Sequence, residues 1–93
     1  MKFEWDPRKS AANQTKHQID FESAKSLWND PDRVEILAPY PIENRYVLIG
    51  RIGDQLWSAV YTLREGAIRI ISVRRSRKQE TKLYEQEKTR EKQ

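Results

Sequence analysis

Ninety-three residues, 37% of them hydrophobic, are enough for one small domain and leave no room for a second core. The chain has no cysteine and one histidine, His17, which excludes disulfides, thiolate metal sites and histidine-rich metal centres. No apolar run approaches the roughly 20 residues that cross a bilayer, and the N-terminus turns charged too early for a signal peptide. We therefore expect a soluble, cytoplasmic protein.

The net charge of +4 is concentrated towards the C-terminus. Residues 1–73 balance ten Lys and Arg with ten Asp and Glu, whereas residues 74–93 carry eight basic residues against four acidic ones. The basic residues are densest between Arg69 and Lys78, where five occur without an intervening acid. Such a stripe attracts polyanions, and nucleic acid is the commonest polyanion in the cytoplasm.

The first third of the chain predicts a strand followed by two helices. Residues 2–5 alternate as in a short edge strand. Asp6-Pro7 supplies an N-cap and a first-turn proline for a helix over 7–16. Asp20 caps a second helix with one apolar stripe, and Asp30-Pro31 ends it because the residue before proline resists the helical conformation. The stripe consists of Phe21, Ala24, Leu27 and Trp28.

From residue 34 onwards the apolar period changes to two, which predicts strands over 34–37, 45–50, 56–63 and 67–75. Their short connections indicate an antiparallel meander. The middle strands are apolar on both faces, so we expect a partner to cover one face. A last helix begins near Ser76 and has Leu83 and Tyr84 as its large apolar anchors.

The predicted fold class is therefore α+β. An antiparallel sheet, made of the N-terminal strand and the C-terminal meander, carries two N-terminal helices and a C-terminal helix. We expect a single domain over 1–87 and a frayed, charged tail over 88–93.

The last strand carries the sharpest functional signal. Strict alternation places Arg69, Ile71, Val73 and Arg75 on one face, and Ile70, Ser72 and Arg74 on the other. An arginine within an apolar strand must face a groove or pair with an acid. Arg69 and Arg74 could therefore bind a phosphate, or could form structural ion pairs. The acids available for such pairs are Glu4, Asp6 and Glu80.

The lone histidine also has two interpretations. Lys16-His17 lies at the junction of the two helices, where an imidazolium is stabilised by a helix C-terminus and would serve only as a cap. Its ordinary pKa near 6.5 also suits general acid and base catalysis at neutral pH. By contrast, Arg45 at a strand end is typical of a plain surface charge, and the three tryptophans are typical of core residues in so small a chain.

Several short segments share their order and spacing with one family. Those of the N-terminal half are Phe3-Glu4-Trp5-Asp6, Lys9, Asn13, Lys16-His17, Phe21, Ala24 and Asp30-Pro31. Those of the C-terminal half are Arg45, Ile49-Gly50, Val60-Tyr61-Thr62, Arg69-Ile70-Ile71-Ser72, Arg74, Glu80 and Tyr84. From about residue 3 to 84 the chain thus resembles the BrnT family of bacterial type II toxins, which are similar in fold to the RelE-like ribonucleases. It departs from the family pattern at Gln18, where glycine is usual, and at Val73, where alanine is common.

The resemblance implies an RNA endonuclease that inhibits translation and is neutralised by a BrnA-type antitoxin with a ribbon-helix-helix DNA-binding part. The toxin and antitoxin would form a hetero-oligomer that represses its own operon, so that this chain meets DNA only through its partner. The resemblance also gives the uncovered apolar face of the sheet an occupant. No membrane contact, metal or other cofactor is expected.

Cleavage of RNA without a metal needs a base, an acid and cations around the phosphorane. In this hypothesis His17 is the base or acid, and Arg69 and Arg74 clamp the scissile phosphate. The RNA backbone is guided by Lys16, Arg45 and Arg75, while Tyr61 and Tyr84 each stack a base or donate a proton. Two alternatives remain at this point. One is a binding module without catalysis, and the other is an interaction subunit whose activity has decayed.

Overall fold

A computed structural model describes residues 1–91 and places five strands in one sheet, in the order β1-β5-β4-β3-β2. The strands are β1 Lys2–Glu4, β2 Val34–Ala38, β3 Arg45–Ile52, β4 Gln55–Arg64 and β5 Ala67–Arg75. The helices are α1 Pro7–His17, α2 Phe21–Ala24 and α3 Lys78–Glu91, and a 3-10 segment follows α2 at Lys25–Asn29. None of the helices in residues 1–91 is long and apolar enough to span a membrane.

The predicted α+β class and the placement of the helices are confirmed. The sheet is mixed, however, because β1 lies parallel to β5 while the other neighbours are antiparallel. The prediction of a wholly antiparallel sheet was therefore wrong for β1. The cause is the path of the chain: helices α1 and α2 carry it from β1 at one edge of the sheet to β2 at the opposite edge. Helix α3 runs on through residues 88–91, and Lys92 and Gln93 of the predicted tail lie outside the described residues.

Side-chain caps fix both N-terminal helices. The Asp6 carboxylate accepts the N–H of Arg8 at the start of α1, and the Asp20 carboxylate accepts the N–H of Ser23 in α2. These bonds lower the pKa of both aspartates. Helix α1 ends at Gln18, whose φ of 64° lies in the left-handed region that glycine adopts freely. The turn therefore forms even though Gln18 replaces the usual glycine. Its cost is a backbone conformation that residues with a side chain rarely adopt.

The predicted apolar stripe is confirmed as the centre of the core. Phe21, Ala24 and Leu27 are fully buried and Trp28 is nearly so, although the second half of the stripe is 3-10 rather than α-helical. These residues pack on the face of the sheet that carries Leu48, Ala59, Ile70 and Val73. We call this face the helix face. A Cβ at Gly50 would lie 3.2 Å from the Leu27 carbonyl oxygen, so glycine permits the close approach of the 3-10 segment.

The opposite side of the sheet is covered only in part, by α3, and we call it the open face. A β-bulge in β5 decides which side chains reach it. Tyr61 of β4 pairs with Ile70 and Val60 pairs with Ser72, so that Ile71 has no residue opposite it. Alternation restarts after Ile71, and Ile70 and Val73 both point to the core. Arg69 and Arg74 consequently share the open face. The prediction from strict alternation, which separated them, was wrong because it assumed an unbroken period of two.

Candidate nucleic-acid interface

The open face presents three rows of side chains across the strands. Its floor is a half-buried apolar row, made of Ile36, Val47 and Val60 with Ile71 beside them. On one side of the floor, Thr62 of β4 pairs with Arg69 of β5, and Arg45 of β3 lies one residue beyond the Tyr46–Tyr61 pair. On the other side Ile49, Ser58 and Arg74 are in register and lie next to α3. Ser58 and Thr62, the β4 members of the two outer rows, are four positions apart in β4, which places the rows about 13 Å apart.

Arg74 is held by a carboxylate. Its Nη1 and Nη2 atoms donate to Glu80 Oε1 and Oε2 at 2.7 and 2.8 Å. Glu80 also accepts the Ser58 hydroxyl and the N–H of Arg77, the residue that precedes α3. This last contact is half of a capping box, in which a glutamate near the helix start reaches back to the backbone. The bonds, led by that from Arg74, lower the Glu80 pKa to about 2. Of the two interpretations of Arg74, the structure shows the ion pair, with Glu80 as its partner.

Tyr84 fastens the middle of α3 to the sheet. Its side chain is fully buried and its hydroxyl donates to Asp30 Oδ2 at 2.8 Å. Burial, and then this bond, raise the pKa of Tyr84 to about 12. Asp30 also accepts the N–H groups of Asp32 and Arg51; these bonds outweigh the opposing effect of burial and lower its pKa. In this structure the Tyr84 ring does not face solvent and cannot stack on a base.

Tyr61 lies on the helix face, within the aromatic core. Its ring stacks on Tyr46 at 5.3 Å and meets the edge of Trp28, and its hydroxyl donates to Glu35. Burial and the Glu35 carboxylate raise the pKa of Tyr61. Proton donation at neutral pH is therefore disfavoured for this hydroxyl as it is for Tyr84.

The cations that sequence reasoning grouped together lie in different places. Arg69 is on the open face, where its Nη1 is 3.8 Å from Glu4 Oε1 without a hydrogen bond. Arg45 stacks on Tyr40 at 4.4 Å, and its buried Nε has no partner among the described residues. Arg75 lies on the helix face, where its guanidinium covers Trp57 at 5.1 Å and contacts the Gln55 amide. Lys16 is exposed at the end of α1.

His17 lies at the end of α1, which packs along the edge of β5 and not on the open face. The buried Asn13 side chain fixes this position. Its amide donates to the carbonyls of Ile19 and Val73 at 2.8 and 2.9 Å, and accepts the N–H of Val73 at 3.1 Å. His17 follows Asn13 by one helical turn and is half-buried. No hydrogen bond of its side chain occurs within residues 1–91. The histidine and the open-face arginines are therefore not brought into one pocket.

Sequence reasoning missed one polar pocket on the open face, beside the turn between β4 and β5. Lys2, Glu4, Arg64, Glu65, Ala67 and Arg69 line it, and we call it the Glu4 pocket. The parallel pairing of Glu4 with Arg69 builds it. The sequence named Glu4 as one of three acids that could pair with Arg69, but gave no sign of a pocket around the pair. No group of three or more acidic or histidine side chains within residues 1–91 has the spacing of a metal site.

A comparison with protein families identifies one match. The family model described as the ribonuclease toxin BrnT of a type II toxin-antitoxin system matches residues 5–80. No curated protein matches the chain. The matched range includes the bulged strand, the Arg74–Glu80 pair and the whole of α1.

Proposed function

The chain belongs to the BrnT family of ribonuclease toxins of type II toxin-antitoxin systems, and from this premise we propose that it is a metal-independent endoribonuclease that binds RNA along the open face. The observation that carries the proposal is the pairing of Thr62 with Arg69 and the position of Arg45 at the same end of the sheet, which sets two guanidinium groups on a part of the open face that no helix within residues 1–91 covers. Guanidinium groups bind phosphates in a planar, bidentate manner.

The basic side chains have different parts in this proposal. Arg69 and Arg45 contact the RNA backbone near the bond that is cut. Lys16 at the end of α1 and Arg75 at the end of β5 guide the flanking RNA. Arg74 lends its charge to the open face while Glu80 holds its position. Tyr84 and Tyr61 act as positioning residues, because their burial leaves them no contact with the substrate.

Type II systems include an antitoxin, and one end of the sheet is suited to a protein partner. Within residues 1–91 the exposed large hydrophobic side chains all lie at the end formed by the β2–β3 loop and the β4–β5 turn. They are Met1, Leu37, Tyr40, Ile42 and Leu63, of which Ile42 is 98% exposed. Exposed apolar clusters of this kind are typical of protein interfaces.

The adjacent cation sharpens the chemistry of that partner. Arg45 stacks on Tyr40 in a pocket completed by Ile42, Glu43 and Arg64. Its buried Nε has no acceptor in the described chain, which favours a partner that brings a carboxylate. We assign this end to a BrnA-like, ribbon-helix-helix antitoxin. Its binding would end the inhibition of translation in the cytoplasm, and the complex would repress its own operon through the DNA-binding part of the antitoxin.

The test is incubation of the purified full chain with RNA in the presence of EDTA. We expect cleavage, which co-expression with the product of the neighbouring reading frame should abolish. Arg69→Ala should weaken cleavage and reduce the salt dependence of RNA binding, since each phosphate contact contributes to that dependence. Loss of cleavage in EDTA would overturn the metal-independent reaction. Binding without any cleavage would favour a binding module instead.

A further inference from the structure

A ribonuclease that uses no metal needs a group to remove the proton of the 2′-hydroxyl, and most carboxylates beside the sheet are already engaged. Glu80 is surrounded by donors from Arg74, Ser58 and Arg77, and its pKa of about 2 makes it a weak base. Asp30 accepts three hydrogen bonds, so neither it nor Glu80 has a carboxylate free of structural bonds. Glu35 is 41% exposed and its Oε2 lies 3.8 Å from Arg33, but it is on the helix face, on the opposite side of the sheet from Arg69.

Glu4 is different. Its side chain is 41% exposed and that of Arg69 is 30% exposed, so both reach the solvent of the Glu4 pocket. The 3.8 Å ion pair includes no hydrogen bond, and within residues 1–91 no donor bonds to the Glu4 oxygens. The parallel β1–β5 pairing holds the two side chains next to each other on the open face. A free carboxylate thus lies beside a guanidinium group that can hold a phosphate.

The charge of the pocket suits the same substrate. Lys2 and Arg69 bring positive charge to the pocket beside Glu4 and Glu65, and Arg64 at its rim pairs with Glu43 at 3.4 Å. Lys2 and Arg69 attract a phosphodiester, and Arg69 can orient it so that the adjacent ribose faces Glu4. A base and a cation side by side meet two of the needs of phosphoryl transfer to a neighbouring hydroxyl.

We propose that Glu4 is the general base of the ribonuclease reaction and that Arg69 beside it binds the scissile phosphate. The Glu4 carboxylate takes the proton of the 2′-hydroxyl, and the 2′ oxygen forms a bond to phosphorus. The bond from phosphorus to the 5′ oxygen breaks, and that oxygen takes a proton from water. The products are a 2′,3′-cyclic phosphate and a 5′-hydroxyl, and Glu4 returns its proton to solvent. This assignment rests on the ribonuclease activity proposed above, and it transfers the role of base away from His17.

The experiment compares Glu4→Gln with wild type in single-turnover cleavage of a labelled RNA oligonucleotide. We expect the rate to fall by about 100-fold or more, the range in which a general base contributes. Binding of a 2′-deoxy-substituted oligonucleotide, which lacks the nucleophile, should change by less than about threefold. His17→Ala should retain the wild-type rate within about threefold.

A matched control removes the same charge without removing the base. Glu85→Gln alters another loose pair, in which Arg51 lies 3.5 Å away, and should cleave within about threefold of wild type. If Glu4→Gln fails to fold, Glu4→Asp keeps a shortened base and should slow cleavage while the binding of the 2′-deoxy-substituted oligonucleotide changes by less than about threefold. Near-wild-type cleavage by Glu4→Gln, or an equal loss in Glu85→Gln, would overturn this assignment and leave the proposed function standing. A wild-type chain that does not cleave RNA would overturn the proposed function as well.

Discussion

Replacement of Asn13 by alanine should destabilise the protein more than any other single change at a polar side chain of α1. The side-chain amide of Asn13 bonds to three backbone groups: the carbonyls of Ile19 and Val73 and the N–H of Val73. The side chain is 6% exposed, so water does not replace it readily. Asn13→Ala therefore leaves buried polar groups without partners.

The magnitude follows from the number of bonds. Each hydrogen bond contributes a net of about 0.5–1.5 kcal/mol, and each buried group left unpaired costs about 1–3 kcal/mol. The three bonds of Asn13 thus correspond to roughly 3 kcal/mol of unfolding free energy. A domain of this size has only about 5–15 kcal/mol in total. The melting temperature should fall by roughly 12–24 °C, at about 4–8 °C for each kcal/mol.

The assay is chemical and thermal unfolding of the purified chain followed by circular dichroism. Gln14→Ala is the matched control, because Gln14 is the exposed neighbour on the same helix and its change should stay within about 0.5 kcal/mol of wild type. Asn13→Asp keeps an acceptor for Val73 but sets a carboxylate against two carbonyls, so it should also destabilise. An Asn13→Ala protein as stable as the control would refute the view that this amide anchors α1 to β5.

Three further predictions concern stability. Gln18→Gly should raise the unfolding free energy by about 0.5–1 kcal/mol in urea titrations, because glycine removes the strain at φ 64°; a loss of stability would contradict this. Glu80→Gln should lower the unfolding free energy by about 2–3 kcal/mol at pH 7, because the pKa of this carboxyl falls from 4.5 to about 2 on folding. The stabilisation is complete above pH 4.5 and is lost as the pH drops towards 2. Melting curves at pH 7 and pH 3 should therefore show a narrowing gap between variant and wild type. Tyr84→Phe should cost about 1–2 kcal/mol at neutral pH through the lost bond to Asp30. In wild type, whose Tyr84 pKa rises from 10 to about 12 on folding, the stabilisation should be complete below pH 10 and decline between pH 10 and 12, and Tyr84→Phe should lack this decline.

The local elements could be predicted because their signals are local. The caps at Asp6 and Asp20 lie within three residues of the backbone groups that they bond. The strands follow from a period of two, and the hairpins follow from tight turns such as Glu65-Gly66, where both φ angles are positive. The buried stripe from Phe21 to Trp28 needs only the spacing of its own residues.

The site could be predicted only in part because it depends on long-range register. A single unpaired residue, Ile71, decides whether Arg69 and Arg74 share a face, and no pattern within β5 reveals it. The partner of Arg74 was one of three acids until α3 placed Glu80 against it. The bonds of Asn13 join residues 60 positions apart, and its helix gives no sign of them.

The attachment of α1 to β5 also has a consequence for aggregation. Sheet edges with unpaired N–H and C=O groups act as templates for other chains. Strand β1 covers only the first part of β5, and Asn13 satisfies both backbone groups of Val73 beyond it. At the other edge β2 is five residues long and is followed directly by Pro39. Both edges of the sheet are thus protected against cross-β association. Helix α1 covers the edge at β5, and at the other edge β2 is short and is followed by a proline.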